Sequence, residues 1–208
     1  MAKISDLKTF SILDSRGEWT IEVEAILSDK RKVRASVPQG KSTGSHEAET
    51  VSSAAAAKNI QKFILPKLKG MDPLMQKTID DLLIRLDGTR DKRRLGGNTI
   101  LGVSMACARA AALVRGISLW QHVRNLSGLK ITQIRRGILY PRLYINIING
   151  GLHAGNNLDF QEYLVIPMTR TFREAALIGE RIYHEAGEYL ARTKGKNATN
   201  VGDEGGFA

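Results

Sequence analysis

The stretch LYINIINGGLHAGNNLDFQEYLVIP, residues 143–167, decides the fold of the second half of this chain. Its two apolar segments flank a glycine pair and a polar loop, a pattern typical of two strands joined by a loop. An amphipathic helix follows at about 172–193, and a polar cluster, GDEGG, occupies 202–206. This order predicts that the helix returns Glu204 towards the loop that carries His153.

Four polar side chains of this half are candidate site residues: His153, Gln161, Glu162 and Glu204. In barrel enzymes the chemistry lies at strand ends and in the adjoining loops, so two carboxylates and a histidine could share one pocket. Each residue also has a structural alternative. His153 could bond the backbone of its loop, Gln161 and Glu162 could face solvent from an edge strand, and Glu204 could lie in an ordinary glycine-rich turn.

The composition is that of an ordinary globular protein, with 208 residues, 42% hydrophobic and 25% charged. No continuous apolar run approaches the roughly 18 residues that span a membrane, and the N-terminus lacks a signal-peptide core, so we expect a cytoplasmic protein.

The single cysteine, Cys107, excludes an intrachain disulfide. Its alanine-rich helix offers no histidine at helical spacing, which favours a buried structural thiol over a nucleophile.

The formal net charge is +10 and the isoelectric point is about 9.9. Such a surplus favours anionic partners, among them phosphorylated metabolites and nucleic acid. The basic residues are spread along turns and connections, however, and lack the interleaved aromatic residues of a single-strand binding surface. A solvated basic face is the favoured interpretation, and nucleic acid is the less favoured partner.

The first half of the chain predicts an antiparallel meander followed by helices. Alternating apolar residues indicate three strands, at 3–13, 19–27 and 32–37. Helical periodicity then predicts helices at 48–68, 71–86, 99–114 and 118–123. Asp72 is predicted to cap the second of these helices and Asn98 the third. His122, on the last one, is interpreted as a packed structural histidine.

Residues 39–44, QGKSTG, form a polar loop between the meander and the helices. Taken alone, this composition favours a plain surface loop over a lid that covers a phosphate or a substrate. The spacing excludes a P-loop, since Lys41 precedes Ser42 without the GxxxxGKS or GxxxxGKT pattern.

Farther along, the basic residues of 129–142 indicate a linker between a domain at 1–128 and a second one at 143–208.

Six stretches taken together resemble the motifs of enolase, in the family's order along the whole chain. They are ILDSRG at 12–17, VPQGKSTG at 37–44 with HEA at 46–48, LDGT at 86–89, NTILGVSMA at 98–106, INGGLHAGNNLDFQE at 148–162 and NATNVGDEGGFA at 197–208. One such motif alone would be a weak signal. Six in register identify the chain as a member of the enolase family.

The resemblance implies an α+β N-terminal domain followed by an enolase-type (β/α) barrel whose first two strands are antiparallel. It implies a lyase of glycolysis, phosphopyruvate hydratase, which reversibly dehydrates 2-phosphoglycerate to phosphoenolpyruvate. It also implies that the enzyme uses two Mg²⁺ ions and is a homodimer. Proton removal beside a carboxylate creates an ene-diolate that needs metal charge, and sites of this superfamily pair a Lys or His base with Mg²⁺. Loss of the hydroxyl then needs a general acid.

Matched to the family motifs, Glu204 corresponds to the proton donor for the leaving hydroxyl, and Glu162 to its partner carboxylate. Two close carboxylates repel when both are ionised, so one of them can hold a proton near neutral pH. His153 corresponds to a loop histidine that closes on the substrate, and Gln161 to a substrate-site amide. Ser42 corresponds to the mobile-loop serine that ligates the second Mg²⁺, so the resemblance favours the lid.

Enolases continue well beyond GDEGGFA, and the resemblance assigns the three acidic ligands of the first Mg²⁺ and the lysine base to that later part. We therefore expect an incomplete barrel at 143–208, in a fragment, a truncated product or one half of a split enzyme. Unpaired strand edges would then invite aggregation or pairing with another chain.

The alternative is a non-catalytic, enolase-like basic module that binds RNA or protein. The family's usual residues are absent at Glu18, Trp19, Gln39 and Lys41, and the stretch after 46–48 is shorter than usual.

Overall fold

The structure, a computed structural model, describes residues 2–40, 44–128, 141–151, 154–202 and 204–208. The chain divides into two compact units, Met1–Leu129 and Lys130–Ala208. Most of the predicted linker at 129–142 lies outside the described residues, which include only its last two positions.

The first unit begins with a three-stranded antiparallel sheet in the order β1-β2-β3. Its strands are β1 (Ile4–Leu13), β2 (Trp19–Leu27) and β3 (Lys32–Ser36). Alternation along β2 buries Ile21, Val23 and Ala25 on the core face. The predicted antiparallel meander is confirmed.

Helices follow these strands along the chain. They are α1 (Ser53–Asn59), which continues through a π-helical turn (Ile60–Ile64) into α2 (Leu65–Leu68), then α3 (Gln76–Asp87), α4 (Gly97–Arg115) and α5 (Leu119–Ser127). Helix α4 packs directly on β2 and β3. A Cβ atom at Gly102 would lie 2.8 Å from Val23 Cγ2 and 3.1 Å from Val37 Cγ2, so glycine allows this approach.

Two residues whose roles the sequence left open lie in this core. Cys107 is completely buried, and burial, reinforced by the negative charge of Asp80, raises the pKa of its thiol to about 12. A thiol with such a pKa stays protonated and unreactive at neutral pH. His122 is also completely buried. The predictions of a structural thiol and a packed structural histidine are both confirmed.

Among the described residues, one helix, α4, is long and apolar enough to cross a membrane by length and composition. Its apolar side chains include Val103, Ala106, Cys107 and Ala110, all of them completely buried. Packing against the sheet and α5 therefore accounts for this composition.

Two predicted helix starts are wrong, each for its own reason. Helix α1 begins at Ser53 rather than 48, because Asn98 holds the preceding segment outside the helix: its side chain bonds both the amide (3.1 Å) and the carbonyl (2.8 Å) of Val51. Asn98 therefore does not cap α4. This helix begins at Gly97, the residue before Asn98. Helix α3 begins at Gln76 rather than 71, because Asp72 turns the chain through its bond to the amide of Leu74 (2.9 Å).

The second unit contains an antiparallel pair of strands, β4 (Ile145–Asn149) and β5 (Glu162–Val165), followed by a long helix, α6 (Phe172–Lys194). A short 3₁₀ helix (Lys196–Thr199) leads into the last residues. Both predicted strands and the predicted helix are present, although each strand is shorter than the apolar segment that indicated it.

The C-terminal residues return to the free side of β4. Phe207 forms a parallel bridge with Ile148, its amide donates to the carbonyl of Ile147 (2.8 Å), and its carbonyl accepts from the amide of Asn149 (2.8 Å). The chain thus runs from β4 through β5 and α6 back to β4, which brings the GDEGG segment to the strand. The described residues of this unit form a small sheet and a helix, and no closed barrel.

Candidate functional site

The candidate site lies around Asn149, the last residue of β4, whose side chain is completely buried. Three separate segments meet it. Its carbonyl accepts a hydrogen bond from Asn156 Nδ2 (2.9 Å), and its Nδ2 lies 3.5 Å from the carbonyl oxygen of Gln161. Its amide holds the C-terminal segment through Phe207. Asn149 therefore connects β4 to the loop, to β5 and to the GDEGG segment.

Helix α6 holds the segment that carries Glu204. The hydroxyl of Tyr183 donates to the carbonyl of Gly205 (2.9 Å), and the ring of Tyr183 stacks on Phe207 with 4.5 Å between centroids. The segment itself folds back as a tight hairpin, closed by a bond from the Gly202 amide to the Gly206 carbonyl (2.8 Å). Glu204 stands at the exposed tip of this hairpin.

Two side-chain amides face the carboxyl group of Glu204. Asn146 Nδ2 and Asn149 Nδ2 each lie 3.5 Å from Glu204 Oε2, at the long limit for hydrogen bonds. Both amides stand on β4, three residues apart. The amide oxygens of the same two side chains are buried and have no hydrogen-bond partner among the described residues.

Glu162, the first residue of β5, and Gln161, just before it, approach the same residue. Glu162 is the cross-strand partner of Asn149, and Gln161 Nε2 lies 3.4 Å from Glu162 Oε1. The bond from the Gly150 amide to the Gln161 carbonyl (2.9 Å) fixes this register. Three of the predicted site residues, Gln161, Glu162 and Glu204, therefore converge on Asn149. His153, the fourth residue of this group, lies outside the described residues.

Ser42, the predicted lid residue, also lies outside the described residues, whereas both flanks of its loop are described. On one side, Arg16 Nη2 lies 3.3 Å from the carbonyl oxygen of Gln39. On the other, Glu47 Oε1 accepts a bond from the Gly44 amide (3.0 Å). A cavity of about 640 Å³ in the first unit is lined by both flanks, and its lining also includes Asp80 and Ser104.

The carboxylates of the second unit lie where a reacting group could reach them, because both Glu162 and Glu204 are exposed. They do not provide a magnesium site of the usual kind. The described part of the chain contains no group of three or more Asp, Glu, His or Cys residues that could hold a metal ion, and Mg²⁺ prefers several oxygen ligands in octahedral geometry. An exposed carboxyl group of this kind can donate or accept a proton.

Sequence reasoning missed Asn146, Asn149 and Tyr183, which hold the predicted residues in place. The two asparagines belong to an apolar strand, and a buried polar side chain in such a strand is a signal, since it needs a hydrogen-bond partner. Tyr183 gave no comparable signal, because an aromatic residue on an amphipathic helix is an ordinary core residue.

Comparisons with known proteins agree with this architecture. Residues 4–123 match the family described as enolase, N-terminal domain, and residues 138–208 match enolase, C-terminal TIM barrel domain. Enolase of Methanopyrus kandleri is 42% identical, and the match covers 100% of this chain and 49% of that protein.

Two further relatives give the same result. Enolase B of Dictyostelium discoideum is 43% identical over 99% of this chain and 47% of its own length. Enolase of Thermococcus gammatolerans is 43% identical over 95% of this chain and 46% of its own length. The chain thus spans about half the length of the curated relatives that it matches. On this evidence of sequence and fold, the chain belongs to the enolase family.

Proposed function

We propose that this chain supplies the acid half of an enolase active site, which reversibly dehydrates 2-phosphoglycerate to phosphoenolpyruvate in glycolysis. One observation carries the proposal: Glu204 from the C-terminal hairpin and Glu162 from β5 both approach Asn149. Separate segments of the second unit thus deliver two carboxyl groups to one end of β4. Membership of the enolase family supports the same activity.

In this proposal Glu204 is the general acid. Its carboxyl proton passes to the C3 hydroxyl of the substrate as the carbon–oxygen bond breaks, so that the hydroxyl leaves as water. Glu162 is the partner carboxylate, and repulsion between two neighbouring negative charges favours one shared proton over full ionisation. Gln161 binds the substrate from the position before β5, and His153 does so from the loop.

The remaining parts of the reaction are assigned to sequence beyond these residues. Magnesium ions stabilise the negative charge that develops when the substrate loses a proton beside its carboxylate. The family resemblance assigns the ligands of the first ion and the lysine base to sequence outside this chain. Ser42 is proposed to ligate the second ion.

The proposal includes a domain organisation. Residues 1–128 form the α+β N-terminal domain, 129–142 the linker, and 143–208 the first part of an enolase-type barrel. The rest of the barrel is supplied by further sequence or by a second chain. A homodimer in the cytoplasm completes the proposal, by resemblance to the family.

The test is phosphoenolpyruvate formation from 2-phosphoglycerate with Mg²⁺. The 208-residue chain is assayed alone and together with the remaining barrel segment of the Methanopyrus kandleri enolase, either mixed or fused. We expect activity only when the segment is present. In the active form, Glu204→Gln and Glu162→Gln should each lower kcat by at least about 100-fold, since a general acid contributes 10²–10⁴-fold.

Glu188→Gln is the matched control, because Glu188 is an exposed glutamate on α6 outside the candidate site, and it should keep full activity. Absence of activity in every combination would count against the proposal. In that case, binding of nucleic acid that weakens steeply with salt would favour the basic binding module instead.

A further inference from the structure

The side chains of Asn146 and Asn149 have no part in the reaction as proposed above, yet both face its general acid. Their Nδ2 atoms lie 3.5 Å from the same oxygen, Oε2 of Glu204. Both amides belong to β4. Glu204 itself stands at the exposed tip of the hairpin.

We propose that Asn146 and Asn149 form an amide cradle that positions the carboxyl group of Glu204 relative to Glu162. The inference deepens the proposed function and rests on it. In this proposal neither asparagine contacts the substrate, so both are positioning residues that act through Glu204.

The burial and the backbone hydrogen bonds of Asn149 support this role. Its side chain is completely buried, and its backbone is held on both sides, by Phe207 through its amide and by Asn156 Nδ2 through its carbonyl. A donor on so constrained a residue has a fixed position. Because Glu162 is the cross-strand partner of Asn149, the same residue sets the placement of both carboxylates.

The chemistry of the amide group supports it as well. A buried amide oxygen without a partner costs free energy, and both cradle residues carry such an oxygen within the described part of the chain. A leucine of similar size would remove that cost, so stability alone does not explain the two amides. An amide offers both a donor and an acceptor, and after rotation it can hold the carboxyl group either ionised or protonated. A general acid alternates between these two states.

The glycine after the hairpin tip completes the cradle. A Cβ atom at Gly206 would lie 2.6 Å from Asn149 Oδ1 and 2.8 Å from Asn146 Oδ1. The hairpin backbone is therefore in direct contact with both amides. This close approach is what brings Glu204 within their reach.

The first test needs no enolase activity. In the ¹⁵N-labelled 208-residue chain, the side-chain amide signals of Asn146 and Asn149 are compared between wild type and Glu204→Gln. We expect both signals to shift more than that of Asn98, which bonds Val51 in the other unit. Glu188→Gln should leave all three signals in place. Unchanged signals of Asn146 and Asn149 in Glu204→Gln would overturn the cradle.

The second test uses the active, completed enzyme. Asn149→Leu should lower kcat by about 10- to 100-fold, part of the 10²–10⁴-fold that a general acid supplies, and should change KM by less than about twofold. In a Glu204→Gln background the same substitution should change kcat by less than about twofold, because the two residues act as one unit. An equal loss in both backgrounds would mean that Asn149 serves the fold alone. If the completed enzyme is inactive, the proposed function fails, and the amide signals still decide the cradle.

Discussion

At the scale of single residues, Gly206 shows why a residue of the GDEGG segment has to be glycine. Its backbone conformation is open to other residues, since no positive φ is found there, unlike at Gly205 (φ 81°). The restriction comes from packing, because Asn146 and Asn149 leave no room for a Cβ atom.

Gly206→Ala is therefore expected to displace the hairpin from β4. Overpacking at such a site costs about 1–3 kcal/mol of unfolding free energy, and the amide signals of both asparagines should move. Urea denaturation and the NMR spectrum would measure the two effects. Gly155→Ala is the control, because a Cβ atom there would meet nothing within 4 Å. A stable Gly206→Ala protein with unchanged amide signals would contradict the packing argument.

Asp87 gives a prediction for acid stability. Burial raises the pKa of this carboxyl, but hydrogen bonds from Thr89 Oγ1 and from the amides of Leu95 (2.7 Å) and Thr89 (2.9 Å) outweigh it, so the pKa lies below its ordinary value of 3.8. The carboxylate therefore stabilises the fold above about pH 3.8. That contribution is lost as the pH falls further, through the folded-state pKa.

Asp87→Asn should lower the unfolding free energy by about 2 kcal/mol at pH 7, the usual range for hydrogen bonds to a charged group. The difference from wild type should shrink as the pH falls below that ordinary value. Urea titrations at several pH values would measure it. Asp81→Asn, on the exposed face of α3, should stay within about 0.5 kcal/mol of wild type throughout.

His122 predicts a second, separate pH dependence. Burial, assisted by the positive charge of Arg115, lowers the pKa of its imidazole from the ordinary value of 6.5. The unfolded chain then binds the proton more readily than the fold does. Stability should therefore fall as the pH drops below 6.5, by up to about 1.4 kcal/mol per pH unit.

His122→Leu should remove this dependence, since leucine cannot bind a proton. Measuring the unfolding free energy between pH 7.5 and 5 would test it, a window above the one in which Asp87 acts. An unchanged slope in the variant would assign the dependence to another group.

At the scale of elements, α6 positions the candidate site as well as covering the strands. Its N-terminus is capped by Thr171, whose hydroxyl accepts from the Glu174 amide (3.2 Å). Farther along, Tyr183 stacks on Phe207 and bonds Gly205. A helix predicted from periodicity alone thus has a specific task in holding the GDEGG hairpin.

Tyr183→Phe should keep the ring stacking and lose the bond to the Gly205 carbonyl. We expect a loss of about 1 kcal/mol and faster hydrogen exchange at the amides of residues 202–206, whereas protection in β5 stays unchanged. Tyr189→Phe, at an exposed position of the same helix, is the control. Equal exchange in both variants would show that the hydroxyl does not restrain the hairpin.

At the scale of the whole molecule, the second unit exposes several large apolar side chains. Phe160 is 72% exposed, Met168 70% and Tyr144 63%. Where such side chains adjoin, they form an apolar surface that is usually an interaction site. An exposed sheet edge adds to the tendency to associate.

We expect the 208-residue chain to self-associate as its concentration rises, measured by analytical ultracentrifugation. Phe160→Ser combined with Met168→Ser should weaken the association, because both side chains belong to the apolar surface. Trp120→Ser in the first unit, where the tryptophan is 62% exposed, should have less effect. The same association in all three proteins would place the contact elsewhere.

The elements that the sequence predicted well are those with a strong local period. The strands of the meander and α6 follow from alternation and helical spacing, which are properties of neighbouring residues. The starts of α1 and α3 were mispredicted, because Asn98 and Asp72 bond backbone groups elsewhere than at a helix N-terminus. The use of a capping side chain depends on which amides the fold brings to it.

The sequence by itself determined the family, the order of strands and helices, and the polar residues Gln161, Glu162 and Glu204. Only the tertiary structure decided that these three converge on Asn149 and that Asn146 and Tyr183 hold the hairpin of Glu204 there. The physical reason is distance along the chain. Asn149 and Glu204 are 55 residues apart, and a contact of that range leaves no period or spacing in the sequence, since it depends on how α6 returns the chain to β4.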